Sequence, residues 1–180
     1  MGSYLNPGNL SFRGSLRSKI YVDKSELICR TNEVLFTEQK YICVSRPRRF
    51  GKSMAANMLS AYYDRNENTE ELFHNLAISK DKTYKENLNR YDVIKLNMQE
   101  FLSRSRDVYD LLERMKKLVL RDMKREYPDV DYFDENDLIE AMQDVYEETR
   151  RPFVVIIDEW DCIFREYKED KEEQEIYLDF

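Results

Sequence analysis

At 180 residues the chain is long enough for one domain with a sizeable core, and 42% hydrophobic with 13% aromatic residues excludes a disordered polypeptide. A net charge of -7 excludes a general polyanion binder, so any nucleic-acid contact has to be local, and the local basic patch is Arg46, Arg48, Arg49 and Lys52. No apolar run approaches bilayer length and the opening stretch MGSYLNPGNLSFRGS lacks the apolar segment of a signal peptide, so the expected setting is cytoplasmic, with no membrane partner.

In chain order, residues 1–38 read as a polar, turn-rich N-terminal arm leading into a core that spans 39–180. Within the arm, YVDKSELI (21–28) offers Asp23 or Ser25 as the cap of a short helix through Leu27 and Ile28. KYICVS (40–45) is β-favouring and too short for a helix, which predicts a buried strand with Cys43 in its core. Residues 52–63 place Met54, Met58 and Tyr62 at i, i+4 and i+8, the pattern of a helix. DVIKLNM (92–98) predicts a second strand. Over 106–127 an apolar face of Val108, Leu111, Leu112, Met115, Leu118, Val119 and Met123 predicts a long helix that Pro128 stops. Asp134 is the expected cap of a helix carrying Leu138, Met142, Val145 and Tyr146. FVVIID (153–158) has the continuous apolar run of a parallel strand covered on both faces, and residues 165–175 read as an exposed charged helix. Strands alternating with helices give an α/β class, with strands 40–45 and 153–158 expected parallel in one sheet. Cys29, Cys43 and Cys162 form no CxxC pair and His74 is the single histidine, so reduced thiols are expected and a metal cluster is not.

The chemistry concentrates in SRPRRFGKS (45–53). Its end, Gly51-Lys52-Ser53 ahead of a helix, is that of a phosphate-binding loop: helix-terminal amides point at the phosphates, Lys52 supplies charge and the Ser53 hydroxyl suits a magnesium position. Arg48, Arg49, Phe50 and Met54 complete the expected nucleotide-binding segment. The usual first glycine is replaced by Arg46, followed by Pro47, which has no amide hydrogen, so the first half of the loop cannot copy the usual turn. About a hundred residues on, VVIIDEWD (154–161) delivers Asp158 and Glu159 at a strand end. Asp158 suits a magnesium ligand and Glu159 a base for the attacking water, with Lys52 as the other catalytic candidate. Two other readings stand beside this one: Asp158 and Glu159 as solvated acids at a strand exit, and the arginines as a solvated or nucleic-acid-binding loop.

The stretches 21–28, 45–63, ELFHNLAI (71–78) and 154–161 together resemble the AAA-ATPase-like bacterial family, whose P-loop domain is commonly followed by a nuclease-like domain of the PD-(D/E)xK type. The resemblance implies a P-loop three-layer sandwich with a parallel sheet, ATP and Mg as cofactors, and RPRRFGKS and VVIIDE as variant Walker A and Walker B motifs. It implies that Lys52 and Ser53 take the phosphate and magnesium roles, and Asp158 and Glu159 the acidic ones. It also implies a further sensor strand and a C-terminal domain with nucleic acid as partner, neither included in these 180 residues, so truncation after the Walker B strand is expected. In related P-loop proteins the segment before the first strand often lines the adenine pocket, which points to Tyr21 and Val22, beside a reading in which these two anchor the N-terminal arm to the core. The function expected is an ATP-binding, magnesium-dependent ATPase module, with a nucleotide-binding switch lacking turnover, or a nucleic-acid-binding module, as alternatives.

Overall fold

The computed structural model describes residues 2–45, 47 and 49–180, which divide into two compact units, Asn6–Val93 and the remainder. In the first unit the elements are α1 (Leu10–Leu16), α2 (Glu26–Val34), α3 (Lys52–Tyr63), α4 (Glu70–Phe73), a 3₁₀ turn (Ala77–Lys80) and α5 (Tyr84–Asn87). Then follow β1 (Asp92–Asn97), α6 (Met98–Leu102), α7 (Val108–Glu126), α8 (Leu138–Thr149), β2 (Phe153–Asp158), α9 (Cys162–Glu166) and α10 (Lys171–Leu178). The class is mixed α/β, with β1 and β2 paired in a parallel sheet of two strands.

An aromatic cluster organises the first unit. Tyr62 and Tyr63, at the C-terminal end of α3, are buried side by side with ring centroids 4.9 Å apart, and Phe73 stacks on Phe12 at 5.1 Å while meeting Tyr62 edge-on at 5.5 Å. Burying two phenol groups requires partners for both. Tyr63 Oη donates to Asn32 Oδ1 at 2.8 Å and shares a 2.6 Å hydrogen bond with Thr31 Oγ1; Tyr62 Oη donates to the Tyr84 carbonyl at 2.7 Å and accepts from Asn32 Nδ2 at 3.1 Å. Burial pushes both phenols well above their ordinary pKa. The apolar face of α3 is therefore rotated from the expected stripe: Ala56, Met58 and Ala61 join the tyrosines inside, whereas Met54 is exposed.

Residues 40–45, expected as a buried strand, form no strand. Tyr41 is 85% exposed, and Ile42, Cys43 and Val44 are exposed as well. The apolar β-branched composition suits a pleated surface but does not create one. Away from β1, the strand pairing described in this unit is the isolated bridge Asp64–Tyr91, so the segment has no ladder to extend. The parallel partner of 153–158 is accordingly β1, not 40–45, and Cys43 is not core.

In the second unit α7 is the long helix the periodicity predicts. Asp107 caps it by accepting from the Asp110 amide at 2.7 Å, and Val108, Leu111, Leu112, Met115, Val119 and Met123 are buried against Ile94 and Leu96 of β1 and Val145 of α8. The cap of α8 is Asp137, whose Oδ1 accepts from the amides of Ile139 and Glu140, and Asp134 instead closes the preceding turn through the Asn136 amide. β2 forms over the expected residues but is covered less than its composition suggests: Val155 and Ile157 are 48% and 47% exposed while Asp158, on the opposite parity, is buried. The charged tail divides into α9 and α10, and Ile176 and Tyr177 of α10 pack on the core.

Replacing Tyr63 by Phe keeps the ring and deletes the hydroxyl that satisfies Asn32 Oδ1. The expected loss is about 1–3 kcal/mol of unfolding free energy in a urea titration, the cost of a buried polar group left unpaired.

Candidate functional site: a helix-terminal loop and an acidic strand end

The loop belongs to the first unit. Gly51, with φ 77°, is in the left-handed region and passes directly into the right-handed first turn of α3. A left-handed residue followed by a right-handed one turns successive amides toward a common point, the backbone concavity that binds anions, and the first amides of a helix have no intrahelical acceptor. Among the described residues no side chain caps this helix, and its first turn holds no acid. Lys52 and Ser53 are the first two residues of α3, and Ser53 and Met54 are exposed. Arg49 (φ 66°) and Phe50 lead in and are exposed, while Arg46 and Arg48 lie outside the described residues. The proline of the loop, Pro47, is described and exposed.

A second lysine reaches this loop. Lys24 Nζ donates to the Phe50 carbonyl at 2.5 Å, and it lies 2.9 Å from where a Cβ on Gly51 would stand. Its neighbours fix it from the other side. Asp23 accepts from the amides of Ala77 and Ser25, both at 2.8 Å, and Ser25 Oγ accepts from the Ile78 amide at 3.0 Å. Burial works against the Asp23 charge, but the amide donors outweigh it and hold the carboxyl below its usual range. Neither residue caps α2 with its side chain; both anchor the YVDKSELI stretch to the 3₁₀ turn and leave Lys24, between them, directed at Phe50. Tyr21, a candidate for the base, packs edge-on against Phe12 at 6.2 Å and burial raises its pKa to about 12, whereas Val22 is exposed.

The acidic end belongs to the second unit. Asp158 closes β2 and is buried, with Oδ1 accepting from the Glu159 amide at 3.1 Å. On the neighbouring strand, burial lowers the pKa of Lys95 while the Asp158 charge opposes that shift. Glu159 has φ 54°, a conformation that costs a non-glycine residue about 1–2 kcal/mol. Its Oε2 lies 2.7 Å from Nη2 of Arg165, whose Nη1 is 2.5 Å from Asp161 Oδ1 and whose Nη2 also donates to Gln99 Oε1 at 3.2 Å. Cys162, buried in α9, is pushed up by burial to about 11 and has no thiolate character at neutral pH.

No group of three or more metal-ligating side chains occurs among the described residues. Asp158 is buried at the end of β2 in one unit, and Ser53 is exposed in the first turn of α3 in the other.

The sequence model of the family described as Predicted AAA-ATPase matches residues 12–180. The chain belongs to the AAA-ATPase-like family. For a member of this family, nucleotide binding and ATPase character follow at the family level, and the nuclease-like domain implied by the resemblance lies outside what the match covers. No curated protein and no solved structure matches the chain. Among the described residues no helix is long and apolar enough to cross a membrane.

Gly51→Ala puts a Cβ on a left-handed residue and against Lys24 Nζ. The lysine tip can swing away, so the lasting cost is the backbone, about 1–2 kcal/mol, seen as a lowered urea midpoint and accompanied by weaker binding of inorganic triphosphate.

Proposed function

We propose that the chain binds magnesium-ATP through residues 49–54 and acts as the nucleotide-binding module of an ATPase. The observation that carries this reading is the uncapped N-terminus of α3 behind a left-handed Gly51, with Lys52 and Ser53 as its first residues. In this reading the amides of the first turn and Lys52 bind the phosphates, Ser53 and Asp158 hold magnesium, and Glu159 takes the proton of the attacking water. Lys24 keeps the approach to Gly51 fixed through the Phe50 carbonyl. Bound magnesium would neutralise charge on the phosphate oxygens. The variant Walker A and Walker B assignments, with a P-loop sandwich as the fold that unites them, belong to the same proposal.

A switch that binds nucleotide without turning it over is favoured by one specific observation. The carboxylate proposed as base already has a cationic partner, Arg165.

Lys52→Ala should weaken magnesium-ATP binding by roughly ten- to a hundredfold in calorimetry, the worth of a charge-assisted contact. Equal affinity in mutant and parent would remove the phosphate site from residues 49–54. Glu159→Gln should leave that affinity unchanged and lower phosphate release by about a hundredfold or more; release that survives the substitution would mean another base, and no release from the parent would select the switch.

A further inference from the structure

Two of the stretches that carry the family pattern, YVDKSELI (21–28) and ELFHNLAI (71–78), lie outside the phosphate loop, and within the first unit they meet each other. The 3₁₀ turn that begins at Ala77 gives two backbone amides to the earlier stretch: Ala77 donates to Asp23 Oδ2 at 2.8 Å and Ile78 to Ser25 Oγ at 3.0 Å. That turn is firm ground, because Phe73 before it and Ile78 within it are fully buried, as is Ser25. Residue 24 is thus gripped through both of its neighbours, and its exposed side chain crosses to the loop, where Nζ donates to the Phe50 carbonyl at 2.5 Å. This bond uses one of the three N–H groups of the ammonium. Among the described residues no carboxylate pairs with Lys24. Its Nζ stands 2.9 Å from where a Cβ of Gly51 would be, beside the peptide that opens the first turn of α3. Any neutral donor could hold a carbonyl. An ammonium brought to this place without an acid beside it keeps its charge for a ligand.

We propose that Lys24 is a second phosphate-binding lysine of the site at residues 49–54, aimed by Asp23 and Ser25, and that it favours a polyphosphate chain over a single phosphate. The proposal rests on the reading of residues 49–54 as a phosphate site. An anion held on the amides after Gly51 comes within reach of the two ammonium N–H groups that the Phe50 carbonyl does not use, and the contact is charge-assisted. Its worth grows with the charge of the ligand, and triphosphate carries more charge than orthophosphate. Asp23 and Ser25 are positioning residues, with the 3₁₀ turn as their mount. A lysine that served only as a backbone tether would matter equally for every anion and at every salt concentration. A lysine that touches phosphate, being exposed, matters less as salt rises.

The experiment is calorimetry of the full chain with inorganic triphosphate and with inorganic phosphate, at ionic strengths of about 0.01 M and about 0.15 M. The proteins are the parent, Lys24→Met, Lys24→Arg, Ser25→Ala and the double variant Lys24→Met with Ser25→Ala. Lys24→Met keeps the length of the stem and removes the charge; it should weaken triphosphate binding by roughly tenfold at the lower salt, the worth of one charge-assisted contact. The loss should shrink at the higher salt and be smaller for orthophosphate at both. Lys24→Arg, which keeps a cation and a donor, should restore most of the parent affinity. Ser25→Ala should weaken triphosphate binding by itself and add nothing in the double variant, because it acts through the lysine; additive losses would overturn the aiming by Ser25. If Lys24→Met binds triphosphate as the parent does, or loses the same factor for both anions at both salts, Lys24 is a tether only: the proposal falls and the phosphate site stands. If the parent binds neither anion, the phosphate site fails and the role of Lys24 with it. Should Lys24→Met fail to fold by circular dichroism, acetylation of the parent by acetic anhydride, read at Lys24 by mass spectrometry, decides. Triphosphate should shield Lys24, and orthophosphate at equal occupancy should shield it less; labelling that triphosphate leaves unchanged overturns the proposal.

Discussion

The hydroxyls of Tyr62 and Tyr63 are the constraint on which the start of α3, and with it the proposed phosphate site, depends. Helix N-termini fray unless something fixes the helix, and among the described residues no side chain caps the start of α3. Its position is set from the other end, where two phenols are buried among Phe12, Phe73, Asn32 and Thr31 and each finds hydrogen-bond partners. Rings of this size can be buried in few orientations once their hydroxyls must also be satisfied, so they fix both the rotation and the axial position of the helix. With the C-terminal turn clamped, the first turn can stay open and uncapped. Capping groups there would compete with an anion for the same amides.

The two candidate regions are held by opposite electrostatic means. At the loop a cation, Lys24, binds a backbone carbonyl, and the side chains on either side of it, Asp23 and Ser25, accept from amides of the 3₁₀ turn. At the strand end the acids themselves are the functional candidates, and cations lie beside them: Arg165 at Glu159, and Lys95 with its charge felt at Asp158. A carboxylate buried without a partner would bind a proton instead of staying ionised. Arg165 lies 2.7 Å from Glu159 in an ion pair, and the Lys95 pKa records the Asp158 charge on the neighbouring strand.

How far the sequence foretold this follows from which interactions are local. The face of α7, the extents of β1 and β2, and the start of α3 at Lys52 are written in periodicity and in short motifs, and they match residue for residue or within two. The segment 40–45 has the composition of a strand, yet composition states a preference and pairing requires a neighbour, which a single stretch cannot announce. Asp134 and Asp137 are equally good caps on paper, and the choice between them turns on where the chain first becomes helical. Lys24 was hidden for a different reason: its stretch reads as a helix entry, and only the long-range bonds of Asp23 and Ser25 to residues 77 and 78 convert the residue between them into a loop contact. Arg165 was half legible, since Asp161 and Arg165 stand at i and i+4. The left-handed turn at Glu159 that brings the glutamate to the same guanidinium carries no sequence signal, because glutamate is not a residue chosen for that conformation.

The missing first glycine then acquires a physical meaning. A phosphate loop with glycine at its first position lets the backbone wrap the anion from both sides, and Pro47 denies this chain a donor on the upstream side. The concavity formed by Gly51 and Lys52 lies wholly downstream of that proline and needs no help from it, since the left-handed residue and the helix start are adjacent. What the upstream half has to provide is a fixed approach, and Lys24 provides it by binding the carbonyl of Phe50, the last peptide before the turn. In the proposed reading Pro47 is compatible with anion binding because the donors lie at the helix end, where the dipole of a twelve-residue helix adds to them.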